Sequence, residues 1–365
     1  AAMVPVEDAK IFFSNSGSEA NDSQIKMLRY YGNAIGKPEK KKIIALDRGY
    51  HGVTVAAASL TGLPVMHSHF DLPVEALGIL RADCPHYFRG KLGDESEGEF
   101  VSRLLKNIEK IIFEEGADTI AAFIAEPLMG AGGVIVPPKT YFEKIQAVLK
   151  KYDVLMIADE VICGFGRTGN MWGSQTFGIK PDILTCAKAL SSAYLPISAV
   201  MISEEIFQGL RGNSEKLGLF GHGYTYSAHP ACAAVAVRTQ ELMQERDIIG
   251  HVKAVSPHFQ NRIATLGDHA MVGQARGVGL IGAVEIVADK ASKRSYDPAA
   301  KVGALIQNAA QEHGLITRAM PGDILGFCPP LIISPSEIDE MFDRFTRALD
   351  ETEMQLKQQG ASAAQ

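Results

Sequence analysis

Five short runs carry apolar residues with little interruption: "KIIALD" (42–47), "IAAFIAEP" (120–127), "VLMIADE" (154–160), "DILTCAK" (182–188) and "ISAVMIS" (197–203). They are rich in β-branched residues, and amphipathic stretches such as "TYFEKIQAVLKKYD" (140–153) separate several of them. Strands that are apolar on both faces and alternate with helices predict an α/β fold, a mostly parallel sheet with helices on both faces. In such sheets ligands collect beyond the carboxyl ends of the strands. Strand ends are therefore where chemistry is expected.

After the helical stretch "HPACAAVAVRTQELMQERD" (229–247) the pattern changes to α+β. "ARGVGLIGAVEIV" (275–287) reads as a hairpin. "SPSEIDEMFDRFTRALDETEMQLKQQ" (334–359) reads as a helix capped by Ser334, with Pro335 at its first position and Glu337 at its third. Ile338, Phe342, Phe345 and Leu349 form its buried stripe. This pattern predicts a large α/β domain over 1–245 and a smaller α+β domain over 246–365, with the tail "GASAAQ" disordered. No internal repeat is visible.

Composition narrows the function without naming it. The chain has 365 residues, 46% hydrophobic and 21% charged, and a net charge of −6, so no nucleic-acid or polyanion partner is indicated. Its five cysteines are odd in number and lack a CxxC pair, which argues against a disulfide framework or a zinc site. That usage, with no signal peptide and no 18-residue apolar stretch to span a membrane, predicts a cytoplasmic protein.

"VLMIADE" ends in two acids, Asp159 and Glu160, where a buried strand should stop. An ionised carboxylate there needs a cation or hydrogen-bond donors. In "IFFSNSGSEAND" (11–22) a strand runs into Ser16, Gly17 and Ser18 and then a helix, whose free N–H groups favour an anion. The same residues also fit a well-capped helix and nothing more. In "RGYHGVT" (48–54), Tyr50 and His51 follow a strand end, where Tyr50 could stack on a flat ligand or pack a loop.

Lys188 closes "DILTCAK" between Ala187 and Ala189; burial there would make it a nucleophile towards carbonyls, unless only its stem is covered. Two further signals fail on context. "GVGLIG" (277–282) fits a dinucleotide fingerprint, but β structure follows it instead of a helix. "VLMIADE" looks like an ATPase acidic strand, but no phosphate-binding lysine loop accompanies it.

Taken in order, "SNSGSEAND", "YHG", "AEP", "ADEVICGFGRTG", "KALSSAYLP", "GHGYTYSAHP" and "TRAMPGD…CPPLI" resemble the class III (ω-type) aminotransferases, most of all their amine–pyruvate transaminase subgroup. The resemblance covers essentially the whole chain. It implies a fold-type I enzyme dependent on pyridoxal 5′-phosphate that moves an amino group from an amine or ω-amino compound to a 2-oxo acid. An aminomutase or decarboxylase of the same fold is the alternative.

By that resemblance Lys188 would bind the cofactor as a Schiff base and shuttle the proton, while Asp159 would keep the pyridine nitrogen protonated. Tyr50 and Val161 would cover the two ring faces. Gly17 and Ser18 would hold the phosphate beside Ser16, with His51 and Glu126 close to the cofactor. Thr225 would complete the phosphate site of a neighbouring subunit, implying a homodimer or a dimer of dimers. Arg318 would grip the acceptor's carboxylate. Glu160 would serve structure at the strand end.

Three departures stand out. Ala193 and Ala228 replace common glycines, tolerable where φ stays negative, and Pro321 follows the arginine segment. Relatives also carry an N-terminal segment ahead of "AKIFFSNSGSEAND", which this reading expects to be missing here. Met66, Phe165 and Trp172 are candidate pocket or core residues.

Overall fold

The computed structural model describes residues 3–363, with side chains to residue 358. The apolar runs become strands of a seven-stranded sheet: β1 (Lys10–Ser14), β2 (Lys42–Leu46), β3 (Ile79–Ala82), β4 (Ile120–Ala125), β5 (Leu155–Asp159), β6 (Ile183–Cys186) and β7 (Ser198–Ile202). Their order across the sheet is β1-β7-β6-β5-β4-β2-β3. The pairings β2–β3, β2–β4, β4–β5 and β5–β6 are parallel; β7 alone runs against both its neighbours.

The period-two geometry of a strand explains why the central runs are apolar throughout. Ile43, Ala45, Ala122, Ile124, Ile157, Ile183 and Val200 face one way, into a cluster with Ala20, Ile25, Met27 and Leu28 of helix α1 (Gly17–Ala34). Alternate residues Ile44, Leu46, Phe123, Met156, Ala158 and Leu184 are buried as well, so both faces of the sheet are covered. Helices Glu97–Glu115 and Tyr141–Lys151 contact each other and, respectively, β3 and β5.

The chain divides into two compact units. Ala1–Gly130, Pro137–Gly166 and Asn170–Asp247 form the first; Ala131–Val136, Arg167–Gly169 and Ile248–Gln365 form the second. The second unit has an antiparallel sheet ordered β10-β11-β9-β8, built from β8 (Val272–Val278), β9 (Ile281–Ile286), β10 (Arg318–Met320) and β11 (Ile324–Phe327). "GVGLIG" is thus the turn of the β8–β9 hairpin, with Gly279 at φ +59.

Helix Pro335–Ala363 opens with the expected capping box: Ser334 Oγ accepts from the Glu337 N–H, and Glu337 accepts from the Ser334 N–H. Ile338, Phe342, Phe345 and Leu349 are all fully buried. Phe342 packs against Phe259 and Phe327, with ring centroids 5.4 and 5.2 Å apart. The helix continues to Ala363, so helical structure replaces the expected disorder over 360–363, while residues 364 and 365 lie outside the described residues. Among the described residues no helix is long and apolar enough to cross a membrane.

Phe342 sits where two other rings meet, so truncation leaves a cavity that its neighbours cannot close. Phe342→Ala should cost about 3–5 kcal/mol of stability in urea unfolding of the second unit. A loss below about 1 kcal/mol would show that this ring cluster does not hold the unit together.

Candidate active site

Three chain segments converge at the carboxyl edge of the large sheet. β5 delivers Asp159 at its last residue, buried to 3% exposure. The link after β2 delivers Tyr50 and His51. The turn after β1 delivers the start of α1, where Ser16 is the N-cap and its Oγ accepts from the Glu19 N–H. That bond leaves the Gly17 and Ser18 N–H groups, in the first turn, without acceptors inside the helix. Glycine at 17 also keeps the approach open: a Cβ there would come within 3.1 Å of Val161 Cγ2. At Gly52, held at φ +129, a Cβ would run into Ser18.

Asp159 finds its donors in these segments. His51 Nδ1 lies 2.8 Å from Oδ2, and Asn21 Nδ2 donates to the same oxygen at 2.9 Å. The Val161 N–H donates to Oδ1 at 3.1 Å. Burial pushes this carboxyl upward, but the His51 hydrogen bond and charge, the Asn21 amide and the Val161 N–H outweigh it. Asp159 therefore sits below the ordinary carboxylate range, an anion in an enclosed place. His51 Nε2 is buried and has no partner among the described residues.

Two more acids lie close by with different solutions. Glu126 accepts from the N–H groups of Tyr50 and Gly130, both at 2.9 Å. Burial is the largest effect on it, opposed by His51 and reinforced by Asp159, and it pushes Glu126 up to about 7. Glu160 accepts from the N–H groups of Gly173 and Ser174 and from Ser174 Oγ, fastening the start of a short helix. Burial raises it to about 7 as well.

A cavity of about 140 Å³ joins these groups. Its walls include Gly17, Ser18, Asn21, Tyr50, His51, Glu126, Asp159, Val161 and Lys188. Eight of the residues singled out from the sequence thus meet around one space, and Asn21, Gly52, Ala187 and Ile162 join them. Asn21 lies inside the quoted "SNSGSEAND", but its reach to Asp159 carries no sequence signal of its own. Ser16 caps the helix and does not line the cavity.

Thr225 is exposed on the irregular segment before helix Pro230–Glu245. Arg318 is exposed at the start of β10 in the second unit, and Pro321 opens the β10–β11 turn. Phe165 and Trp172 are core residues, packed on each other at 4.8 Å between centroids. Met66, half-buried in the short helix Pro64–Met66, is also absent from the cavity lining. A wider cleft of about 480 Å³ lies at the opposite ends of β4 and β5, beside Ala121 and Leu155. There Lys37 and Lys40 are already paired with Asp153.

Two expectations need correction. Lys188 is exposed in the single chain, not buried beside its alanines, because the turn it begins lies at the surface. Ala193 and Ala228 both sit in the left-handed region, at φ +61 and +54, so the condition under which a methyl is harmless is not met. Lys188 and Ser192 share that region at φ +43 and +51, which makes the lysine turn a strained stretch of backbone.

An anion-ready helix end, an ionised buried acid and a lysine around one cavity define an α/β enzyme that works on a bound anionic ligand. The sequence profile of the aminotransferase class-III family matches residues 1–349, and the chain belongs to that family. Among similar proteins are gamma aminobutyrate transaminase 1, mitochondrial, of Solanum lycopersicum, 51% identical over 96% of this chain and 67% of the relative. The corresponding protein of Oryza sativa subsp. indica is 52% identical over 95% of this chain and 67% of its own length. Among solved structures, the omega transaminase from Pseudomonas jessenii in complex with PMP superposes with a TM-score of 0.94 at 53% identity, covering 96% of this chain and 77% of that one. A structure described as "Transaminase with L-ala" gives 0.95 at 52% identity, covering 97% and 83%. The chain is thus a fold-type I aminotransferase that uses pyridoxal phosphate.

The strained alanines are exposed, so removing their methyl groups sacrifices no packing. Ala193→Gly and Ala228→Gly should each stabilise the fold by about 1 kcal/mol, read as a higher urea midpoint. Destabilisation by either would show that the backbone there is unstrained.

Glu126 and Glu160 titrate near 7 when folded, against 4.5 for an ordinary glutamate. The folded chain binds their protons between those values, so the stability they contribute is full below 4.5 and falls as pH rises through 7. Asp159 works oppositely, contributing above 3.8 and losing its contribution as pH falls. Glu160→Gln should therefore flatten the decline in stability of the cofactor-free chain between about pH 5 and 7. An unchanged slope would mean that Glu160 is ionised throughout.

Proposed function

We propose that this aminotransferase takes nitrogen from an amine or ω-amino compound and delivers it to a 2-oxo acid, pyruvate, in a ping-pong cycle. The observation that carries this is the meeting of Asp159, Lys188 and the Gly17–Ser18 helix end around one cavity. The names of the relatives, gamma aminobutyrate transaminases, support an ω-amino donor, and the neighbour solved with L-alanine supports the alanine–pyruvate pair.

The residues present suit the cofactor's chemistry. The phosphate would meet the Gly17 and Ser18 N–H groups, which have no acceptor within the helix, and a protonated ring nitrogen would meet the Asp159 carboxylate, whose Oδ1 accepts from the Val161 N–H. When bound, pyridoxal phosphate supplies the electron sink that lets a bond at the substrate carbon break. Lys188 Nζ would hold the carbonyl carbon of the cofactor and, once released, carry a proton to and from the substrate carbon. Tyr50 and Val161 would fix the ring plane. Arg318 is assigned the acceptor's carboxylate, which a guanidinium matches with two parallel hydrogen bonds.

A second copy of the chain completes this reading. Tyr194, Leu219 and Tyr226 are 79%, 70% and 69% exposed, and a homodimer, or a dimer of dimers, would cover such residues while Thr225 supplies a hydroxyl to the neighbour's phosphate. Five scattered cysteines without a CxxC pair suit a reducing compartment, proposed to be the cytoplasm.

Lys188→Ala should abolish both the visible absorbance of the bound cofactor and turnover. With the intact protein, a donor panel assayed with pyruvate should yield alanine without release of carbon dioxide. Retained transamination in Lys188→Ala, or carbon dioxide release with every active donor, would falsify the proposal.

A further inference from the structure

Asn21 is 1% exposed and belongs to the turn of α1 that also presents Gly17 and Ser18. Residues three and four apart lie on one face of a helix, so the cavity is lined along α1 by Gly17, Ser18 and Asn21 together. Nδ2 of Asn21 donates to the His51 carbonyl at 2.6 Å and to Asp159 Oδ2 at 2.9 Å. A carbonyl and an ionised carboxylate can only accept, so the amide must turn its nitrogen towards them. Its Oδ1 accepts from Gln24 Nε2 at 2.7 Å, three residues further along the helix. Both donors and one acceptor lone pair of this side chain are accordingly engaged, which fixes its orientation.

We propose that Asn21 is a positioning residue for the reaction: through Asp159 it sets the proton on the cofactor ring, and it ties that carboxylate to the helix end that receives the phosphate. Gln24 holds the amide in the working orientation. The inference rests on the reading of Asp159 as the acid facing the ring nitrogen. The charged and titratable groups around Asp159 are His51 from the 48–54 link, Glu126 after β4, Glu160 next in sequence, Cys163 after it and Cys186 at the end of β6. Lys188 lines the same cavity. Within this set His51 and Asn21 are the side chains that donate to Asp159, and Asn21 alone of the two is uncharged at every pH. Its contribution is constant and orientational, not a switch.

The test compares holoenzymes of Asn21→Ala, Asn21→Asp, Gln24→Ala and Asp159→Asn. A hydrogen bond to a charged group implies that Asn21→Ala lowers kcat roughly tenfold or more while the donor KM stays within about threefold. The pH at which the visible absorbance of the bound cofactor changes should move in the direction seen for Asp159→Asn, but less far. Asn21→Asp should be worse than Asn21→Ala, since it sets carboxylate against carboxylate, and Gln24→Ala should shift the absorbance titration by a smaller amount.

If Asn21→Ala fails to fold, Gln24→Ala decides by the same titration: a shift supports the proposal and no shift overturns it. A wild-type titration and kcat in Asn21→Ala, with Asp159→Asn strongly altered, overturns the role of Asn21 alone. If Asp159→Asn is itself unaltered in absorbance and turnover, the underlying reading of the site fails.

Discussion

The structure depends on keeping one carboxylate charged in a place that excludes water. Asp159 ends a strand at the middle of a sheet covered on both sides, where an isolated anion would be driven to take up a proton. It is rescued by donors from three directions: α1, the link after β2, and the backbone immediately following β5. Each of these donors adds to the hold on the negative charge, and losing one weakens it. Local order at 17–21 and 48–52 is thus a condition of the chemistry, not a scaffold beside it.

Three buried acids in the same neighbourhood show how the choice of donor decides the outcome. Asp159, with an imidazole and an amide on one oxygen, is held as an anion. Glu126, which accepts from the backbone amides of Tyr50 and Gly130, is raised to about 7 by burial and so lies close to the point of losing its proton at neutral pH. Glu160 has amides and a hydroxyl, and it spends them on anchoring a helix start. Similar burial gives one permanent charge and two groups raised to about 7, of which Glu160 also clasps a helix start. Sequence proximity does not predict this, since Asp159 and Glu160 are adjacent yet point to opposite duties.

What the sequence disclosed follows the range of the interactions. The strands were legible because burial on both faces writes itself as an unbroken apolar run, and the Ser334 cap because a capping box is local. Gly17, Ser18, Asp159 and Lys188 stood out because each sits at a strand or helix end, where backbone polarity is unspent. Asn21 did not, because its bond to Asp159 spans 138 positions and nothing in an asparagine inside a helix declares its target. The strain at Ala193 and Ala228 is hidden for a related reason: the sign of φ is set by how the turn closes, which composition does not encode. The exposure of Lys188 likewise belongs to the surface of a single chain, while its sequence context suggested enclosure.

β7 runs against β6. A parallel neighbour would have required the chain to travel beneath the sheet and re-enter from the far edge, as the links between the other inner strands do. Reversal spares that journey. The segment between Cys186 and Ser198 leaves and returns on one rim, anchored at both feet like a handle. Beyond Lys188 its length can therefore drift in evolution or in redesign without rethreading the sheet or shifting the strand that delivers the acid.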